Sequence, residues 1–548
     1  MTRLPWFATA LPALLAAQTP APVVKADVLR AHLEFLSSDL LEGRGTGQRG
    51  GDLTVAYLEA QCKVLGLKPA GAGFRQAVRI AGMKAKPEAS SLFFQTPAGP
   101  QPLAFGEDMV MGAGLPRTRV QLDAPLVFAG YGITAPEETW DDFKGVDVKG
   151  KVLVLMVNDP QPTAEEPLRF GGKSLTYYGR WTYKFEEAKR RGAAGVLLIH
   201  TDASASYGWS VVKNGWSHER FMLASGEGLS PLQGWITEGS ARKLFAACGE
   251  DLDRLRAAAE TRGFRPVELK AAARADLQSE VRTVDQYNVA GLIPGSDPRL
   301  KDEVVIFSAH WDHLGKDDAL IAKGQDGIFN GAVDNGSGTA ALLAMAEAAR
   351  IGRPKRSLMF LWVCAEEQGL IGSAAYAAAP LAPLAKTAAD LNLDSLNFAG
   401  VTSDVGLPGA ERTDLKEMGA AVARRMGLAI AEAKPDLGGG YFRSDHFSFA
   451  KAGVPAVSIG GGSTFVRDPE GAKARAEAYR TNRYHQVVDE FDPAWDMAAM
   501  AQQAQFTLNL GFHVANAPAL PAWKPGEAFG RARELKSAAA GGPVPAPR

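Results

Sequence analysis

The chain has 548 residues, which is enough for about two to four domains around a large hydrophobic core. Its 60 basic and 61 acidic residues leave a formal net charge of -1. That balance excludes the strongly basic surface that binding to nucleic acid or to a membrane surface requires. Beyond the N-terminus no stretch is apolar for long enough to span a bilayer. We therefore expect an ordinary soluble protein.

The N-terminus has the pattern of a secretory signal peptide. A positive charge at Arg3 precedes an apolar stretch that ends at the small residue Ala17. Residues 1–17 are therefore predicted to be a signal peptide, and the protein is expected to be exported by a bacterium, to the periplasm or the medium. An ordinary N-terminal segment is the alternative. Only three cysteines are present, which offers no disulfide framework, and a core of this size does not need one.

An insertion is predicted between the first helices and the strands that carry the candidate site. Helical patterning after Val24 continues to Cys62, and the strands that precede the acidic and histidine residues begin only near Tyr287. The intervening stretch has strand patterns bounded by glycine, proline and charge, and one helix that stops at a glycine. The predicted strands are 125–132, 150–157 and 195–199, and the predicted helix is 185–192.

The first candidate ligand follows a buried strand. Residues 304–309 form an apolar run of β-branched and aromatic residues, which predicts a strand that delivers His310 at its end. Asp312 is close enough to orient that imidazole by hydrogen bonding to its second nitrogen. Asp334 lies in a glycine-rich loop that opens a strong helix former at 339–350.

Three further candidate ligands, Glu367, Asp394 and His485, complete the set of five. The apolar run 358–365 ends in Glu366 and Glu367, and another short run ends at Asp394. His485 lies in a polar loop. Each residue alone has a structural explanation, such as a helix cap for an aspartate, but the carboxyl ends of strands in an open α/β sheet are where active sites form. Two imidazoles and three carboxylates can hold two zinc ions, and such a site also accepts manganese or cobalt.

These motifs resemble those of the dinuclear zinc aminopeptidases, a family that includes bacterial leucyl aminopeptidases and glutamate carboxypeptidase. The similarity covers most of the chain. The segments that carry it are 40–47, 308–315, 334–338, 366–367, 392–394, 444–446, 453–456 and 484–485. The insertion resembles a protease-associated domain, a small β-rich module whose expected role is to cover the cleft or to gate substrates; a generic α/β insertion is the alternative.

The resemblance implies a role for each residue. Asp334 is expected to bridge two zinc ions, with His310 and Asp394 completing one site and Glu367 and His485 completing the other. Glu366 resembles the general base of the family. Tyr484 resembles a tyrosine that hydrogen-bonds the substrate carbonyl oxygen. The chemistry is consistent with these types, because paired metals activate water and polarise a carbonyl while a nearby carboxylate moves the proton.

The residues around this set are less specific. Asp445 and His446 precede another buried-strand pattern and are candidates for substrate binding, although a structural hydrogen bond is an equal alternative for His446. His313 is expected to support the ligands without being one. The segment 175–181 of the insertion is a candidate to reach towards the substrate.

We therefore predict an α/β fold with a mixed, mostly parallel sheet between helices. The predicted domains are a discontinuous peptidase domain at 26–115 and 275–515, an insertion at 116–274 and a disordered tail at 516–548. The predicted function is release of N-terminal residues from peptides by two zinc ions. The alternatives are a carboxypeptidase that releases glutamate, a glutaminyl cyclotransferase, whose relatives lack the histidine that is His310 here, and a receptor-like protein without activity. Oligomeric state has no signature in the sequence.

Overall fold

A computed structural model describes residues 22–205, 207–225 and 229–530. The predicted signal peptide at 1–17 lies outside the described residues. The described chain is a mixed α/β structure in which helices cover a large sheet, as predicted. Among the described helices, none combines the length and the apolar character needed to cross a membrane.

The helices and strands are numbered in chain order. The helices are α1 (Ala26–Leu36), α2 (Arg49–Val64), α3 (Trp181–Arg190), α4 (Asp202–Ala205), α5 (Trp209–Ser217), α6 (Glu238–Ala247), α7 (Leu252–Ala259), α8 (Asp318–Ile321), α9 (Gly338–Ala349), α10 (Ile371–Ala378), α11 (Leu415–Arg425), α12 (His446–Lys451), α13 (Pro469–Asn482) and α14 (Met497–Asn516). The strands are β1 (Lys68–Pro69), β2 (Arg75–Ala85), β3 (Ser91–Thr96), β4 (Gly99–Pro102), β5 (Met109–Ala113), β6 (Arg119–Phe128), β7 (Thr134–Ala135), β8 (Trp140–Asp141), β9 (Val152–Met156), β10 (Gly195–His200), β11 (Arg220–Leu223), β12 (Leu232–Thr237), β13 (Val267–Ile293), β14 (Val304–His310), β15 (Gly315–Lys316), β16 (Ile328–Phe329), β17 (Ser357–Val363), β18 (Thr387–Asn392), β19 (Asp404–Val405), β20 (Ala429–Ile430) and β21 (Ala456–Ser458).

Four parallel strands form the part of the sheet that carries the candidate site. They lie in the order β21, β18, β14, β17, and the last of them pairs with the antiparallel strand β13. Because the four strands run in one direction, their carboxyl ends meet at one edge of the sheet. The chain therefore brings the residues that follow β14, β17 and β18 together.

The strands at this place are buried on both faces. Alternate residues of β14 point to opposite sides: Val305 and Phe307 join the core under α1, α9 and α14, whereas Ile306 joins a second cluster with Tyr376 of α10 and Phe449 of α12. This two-sided burial is why the run reads as continuously apolar in the sequence. It holds the edge of the sheet rigidly.

The long strand β13 connects the four parallel strands that carry the candidate site to the insertion. Its carboxyl end pairs with β17 from Val289 to Ile293, and its amino end pairs with β6. Beyond β6 the sheet continues through the parallel strands β9, β10 and β12 to the antiparallel β5. A separate hydrophobic core lies here, between the strands and helices α6 and α7.

The insertion thus has parallel strands with helices against them. Strands β3 and β5 fall on the peptidase side of the predicted boundary at 116, but they pair with β13 and β12 in this second part of the sheet. The division into domains remains a prediction.

The prediction of a disordered tail from 516 is wrong for residues up to 530. The indole nitrogen of Trp523 donates to the carbonyl of Gly453 at 2.9 Å, and the ring of Phe529 is buried against Phe447. These two aromatic side chains, together with ion pairs of Lys524 and Glu527, dock this segment, although its overall composition is poor in large apolar residues. The remainder, 531–548, lies outside the described residues.

A buried arginine joins the loops beneath the candidate site. Arg44 is fully buried and donates to four carbonyl oxygens at 2.6–2.8 Å. The acceptors belong to Leu36, Trp311, Asn330 and Gly331. Burial lowers the pKa of Arg44 to about 10 against the opposing effect of nearby carboxylates such as Asp489. The arginine therefore stays charged at neutral pH and satisfies acceptors that water cannot reach.

We predict that Arg44→Met lowers the free energy of unfolding by at least about 3 kcal/mol, because it leaves several buried carbonyls without a donor. Urea unfolding of the two proteins measures the difference. The control is Arg49→Met, since Arg49 is a nearby arginine with a 68% exposed side chain. Equal unfolding midpoints for the Arg44 variant and the wild type would contradict this role.

Candidate metal centre

His310 is the last residue of β14 and is 1% exposed. One contact holds its ring and another holds its backbone: Nδ1 lies 3.0 Å from the backbone oxygen of Asp312, and the backbone oxygen of His310 accepts from the hydroxyl of Thr339 at 2.8 Å. With Nδ1 donating to that carbonyl, Nε2 is free to face the cleft. The prediction that the Asp312 carboxylate orients the imidazole is wrong, because Asp312 Oδ1 lies 3.8 Å from His310 Nδ1, too far for a hydrogen bond. Asp312 Oδ1 instead accepts from the backbone nitrogen of Glu366 at 3.1 Å.

Asp334 lies in the tight turn between Gly331 and α9. Gly331 has a φ of 55°, and a Cβ at this position would lie 2.2 Å from the backbone oxygen of Asp334. Only glycine therefore fits here. Asp489 holds the turn from outside: its carboxylate accepts from the backbone nitrogens of Val333 and Asp334 at 3.1 and 3.2 Å. The Asp334 side chain is thereby directed into the cleft.

The backbone is strained at or beside the other candidate ligands. Non-glycine residues with positive φ are Ala365, just before Glu366, Ser395, just after Asp394, and His485 itself, at 53°, 65° and 59°. Such conformations cluster where surrounding structure holds side chains in fixed positions for function.

The five predicted ligands converge around Asp334. His310 Nε2 lies 3.3 Å from Asp334 Oδ1 and 3.4 Å from Asp394 Oδ1. His485 Nε2 lies 3.1 Å from Asp334 Oδ2 and 3.2 Å from Glu367 Oε2. Each oxygen of Asp334 therefore faces one imidazole, and each imidazole has a second carboxylate beside it.

These spacings fit zinc. Two ligand atoms bonded to one tetrahedral zinc at about 2.0–2.1 Å lie roughly 3.3 Å apart, which is the range observed in both groups. The donor set of imidazole and carboxylate without thiolate is also one that zinc accepts. The residues present thus suit one metal ion between His310 and Asp394 and another between His485 and Glu367, with Asp334 shared.

The imidazoles and carboxylates of the site shift each other's pKa values strongly. Although burial opposes it, the nearby imidazoles hold the pKa of Asp334 well below its usual value, and the pKa of Glu367 falls to about 2 against burial and the charge of Asp334. Against the effect of burial, the carboxylates raise the pKa of His485 to about 10 and that of His310 well above its usual value. The opposite charges beside each group thus favour the charged form of each imidazole and of each carboxylate.

Two other side chains steady these ligands. His313, fully buried, has its Nδ1 2.7 Å from Glu367 Oε1, the oxygen that faces away from His485. Ser444 donates its hydroxyl to Asp394 Oδ2 at 2.6 Å and accepts from the Asn392 side chain at 2.8 Å. His313 was expected to support the ligands; Ser444 was missed, since a serine beside two candidate residues carries no signal of its own.

Two of the other predicted residues lie on the cleft wall. Tyr484 is 44% exposed, with its ring stacked on His485 at a centroid distance of 3.9 Å. His446 lines the cleft with little exposure and packs edge-on against Tyr441. Asp445 is fully buried and does not line the cleft, so the prediction that it binds substrate is wrong. Its side chain lies within the core because it precedes the first turn of α12.

The cleft around the centre has a volume of about 520 Å³. Among its walls are Asp334, Glu366 and Glu367 from the peptidase part, and Arg180 and Trp181 from the insertion. The expectation that the segment 175–181 reaches towards the cleft is thus confirmed for its last two residues. A larger cavity, of about 790 Å³, lies beside α13 and contains none of the five ligands.

Comparisons with known proteins agree with this site. Residues 288–509 match the model of peptidase family M28. A probable leucine aminopeptidase of Trichophyton verrucosum is 29% identical over 245 residues, which are 43% of this chain and 58% of that protein. Leupeptin-inactivating enzyme 1 of Streptomyces exfoliatus is 34% identical over 188 residues, which are 33% of this chain and 37% of that protein. The chain thus spans only about half the length of these relatives.

Two solved structures cover more of the chain at lower identity. The aminopeptidase from Aneurinibacillus sp. strain AM-1 is 19% identical with a TM-score of 0.48, covering 92% of this chain and 96% of its own. BSAP, a zinc aminopeptidase from Bacillus subtilis, is 18% identical with a TM-score of 0.40, covering 90% and 95%. The segment 288–509 that matches peptidase family M28 contains all five candidate ligands.

Proposed function

We propose that the protein is a metal-dependent exopeptidase that releases the N-terminal residue of peptides, using two zinc ions. The match of residues 288–509 to peptidase family M28 and the similarity to proteins named as leucine aminopeptidases support the reaction class. The observation that carries the proposal is the placement of Asp334, whose two oxygens lie 3.3 and 3.1 Å from two separate imidazoles. A single carboxylate in that position suits a pair of metals better than one.

The two proposed metal sites are built from the residues described above. When bound, paired zinc ions lower the pKa of a water held between them and polarise the scissile carbonyl. His310, Asp394 and one oxygen of Asp334 would hold one ion, and His485, Glu367 and the other oxygen would hold the second. His313 and Ser444 keep Glu367 and Asp394 turned so that one oxygen of each faces its imidazole.

Glu366 is the proposed general base. It lies on the cleft wall with its Oε2 4.0 Å from His310 Nε2, and only 11% of its side chain is exposed. Burial raises its pKa well above the usual value, which brings the carboxylate closer to the range in which it can both accept and return a proton. In this role Glu366 takes a proton from the attacking water and passes it to the leaving amine.

Tyr484 is proposed to contact the substrate. Its half-exposed ring is held against His485, which leaves the phenol free to donate to the carbonyl oxygen of the bond being cleaved. Burial, reinforced by the surrounding carboxylates, raises the pKa of this phenol far above its usual value, so it keeps its proton. We also propose export of the protein, on the basis of residues 1–17 alone.

The first experiment is release of aminoacyl chromophores by the purified protein. We predict that chelation abolishes hydrolysis, that zinc restores it, and that Glu366→Gln lowers kcat by at least about 10²-fold, as expected for loss of a general base. Zinc content should stay at the wild-type value in this variant, because Glu366 is not a proposed ligand. The control is Glu490→Gln, which alters a nearby exposed glutamate. Full activity of Glu366→Gln would reject the assigned base, and zinc-independent hydrolysis would reject the metal mechanism.

The shared role of Asp334 predicts different metal contents for two aspartate variants. Asp394→Ala removes a ligand from one site and should retain about one zinc per chain, whereas Asp334→Ala removes a ligand from both and should retain almost none. Elemental analysis after dialysis measures this. The control is Asp414→Ala, at an exposed ion pair far along the chain. Retention of one zinc by the Asp334 variant would show that this carboxylate is not shared.

A further inference from the structure

Two arginines with few partners face the cleft beside the metal centre. Arg180 belongs to the insertion and Arg443 to the peptidase part, and both line the same 520 Å³ space as Asp334 and Glu366. Arg180 falls within the segment 175–181 that was expected to reach towards the substrate, whereas Arg443 was not named as a candidate. They lie about 260 residues apart in the chain and meet only because the insertion folds back onto the cleft.

The insertion is anchored to the peptidase part close to these arginines. The backbone nitrogen of Leu175 donates to the Asp436 oxygen at 2.8 Å, and the Asp436 nitrogen donates to the Ser174 hydroxyl at 3.0 Å. The ring of Tyr177 packs against Phe447 at 4.9 Å. These contacts fix the start of α3, and with it Arg180, against the rim of the cleft.

The hydrogen-bonding capacity of both guanidinium groups is largely unused. Arg180 donates from Nη1 to the Gly438 carbonyl at 3.3 Å, but its buried Nε has no partner among the described residues. The exposed side chain of Arg443 makes no hydrogen bond or ion pair within the described part of the chain. Unpaired donors in a fork geometry are suited to binding a carboxylate through two hydrogen bonds.

The nearby acidic groups are already engaged. Glu186 forms an ion pair with Lys451 at 3.2 Å and accepts from Tyr177. Asp436 accepts from the backbone nitrogens of Gly440 and Tyr441 at 2.8 and 3.1 Å. Asp334, Glu367 and Asp394 belong to the metal centre. The two arginines therefore form a local excess of positive charge.

That excess costs free energy in the absence of an anion. Burial, together with the positive charge of Arg443, lowers the pKa of Arg180 to about 10, against opposing effects of Tyr207 and Asp436. Two like charges held together in a partly buried cleft repel each other. An anionic ligand would relieve this repulsion.

We propose that Arg180 and Arg443 form an anion subsite that binds a carboxylate of the peptide substrate. The proposal rests on the proposed function, because it places the substrate in the metal cleft. Arg443 precedes Ser444, which is hydrogen-bonded to Asp394, so a carboxylate bound there lies near the scissile bond. A cleft of this size is in the range of about 300–1,000 Å³ that accommodates small ligands. The substrate class is thus short peptides that carry either a free C-terminal carboxylate or an acidic side chain close to the cleaved bond.

The test compares matched peptides. Leu-Ala and its C-terminal amide differ only in the terminal carboxylate; Leu-Asp-amide and Leu-Asn-amide differ only in the side-chain carboxylate. We expect the wild type to favour the charged member of at least one pair by about ten-fold or more in kcat/KM, through KM, as for a charge-assisted hydrogen bond. The pair that shows the preference identifies the source of the carboxylate.

Charge-removing variants locate the subsite. In Arg443→Gln and Arg180→Gln the preference should fall towards unity, while hydrolysis of the uncharged peptides stays within about two-fold of wild type. Arg443 is exposed, so its variant should fold even if the Arg180 variant does not. The control is Arg254→Gln, an exposed arginine of the insertion paired with Glu250. No preference in the wild type, or an unchanged preference in both cleft variants, would overturn the proposal.

A binding measurement separates this proposal from the proposed function. If no peptide is hydrolysed, calorimetry on the chelated protein can still compare the affinities for D-Leu-D-Ala and for its amide, and so test whether the subsite exists. Weaker binding of the amide, with the difference lost in Arg443→Gln, supports the subsite even without turnover. Equal binding within this pair, together with equal binding of D-Leu-D-Asp-amide and D-Leu-D-Asn-amide, rejects it, whatever the activity.

Discussion

The position of one carboxylate organises the whole site. Asp334 faces His310 with one oxygen and His485 with the other, and this is possible only because its turn is closed by Gly331 and held by Asp489. Such a concentration of negative charge in a buried place is unfavourable unless cations balance it. The imidazole nitrogens lie 3.1–3.4 Å from the carboxylate oxygens. Two ligand atoms of one tetrahedral zinc ion lie at a similar distance from each other, roughly 3.3 Å.

The surrounding fold serves to hold that arrangement still. Parallel strands buried on both faces bring three chain segments to one edge of the sheet, and Arg44 ties the loops beneath by donating to four carbonyls. The insertion adds the opposite wall of the cleft and brings Arg180 towards Arg443. We therefore propose that the residues outside the insertion hold the metal ions and the general base, and that the insertion contributes to substrate binding.

The sequence predicted the fold class and placed the five ligands at strand or loop ends, because continuous apolar runs such as 304–309 reveal where a buried strand stops. It could not show which atom of Asp312 contacts His310, since backbone and side-chain oxygens are equally near in the chain. It could not show that Asp445 points into the core. The roles of Arg443 and Ser444 were missed because they depend on contacts between distant segments, and the docking of Trp523 depends on a partner 70 residues away.

Whether Asp334 lies between two zinc ions can be tested by anomalous X-ray diffraction at the zinc absorption edge, on crystals grown with zinc. We expect two peaks about 3.5–4 Å apart, with Asp334 between them. One should lie between His310 and Asp394, and the other between His485 and Glu367. A single peak, or a metal held by His313 in place of His485, would contradict it.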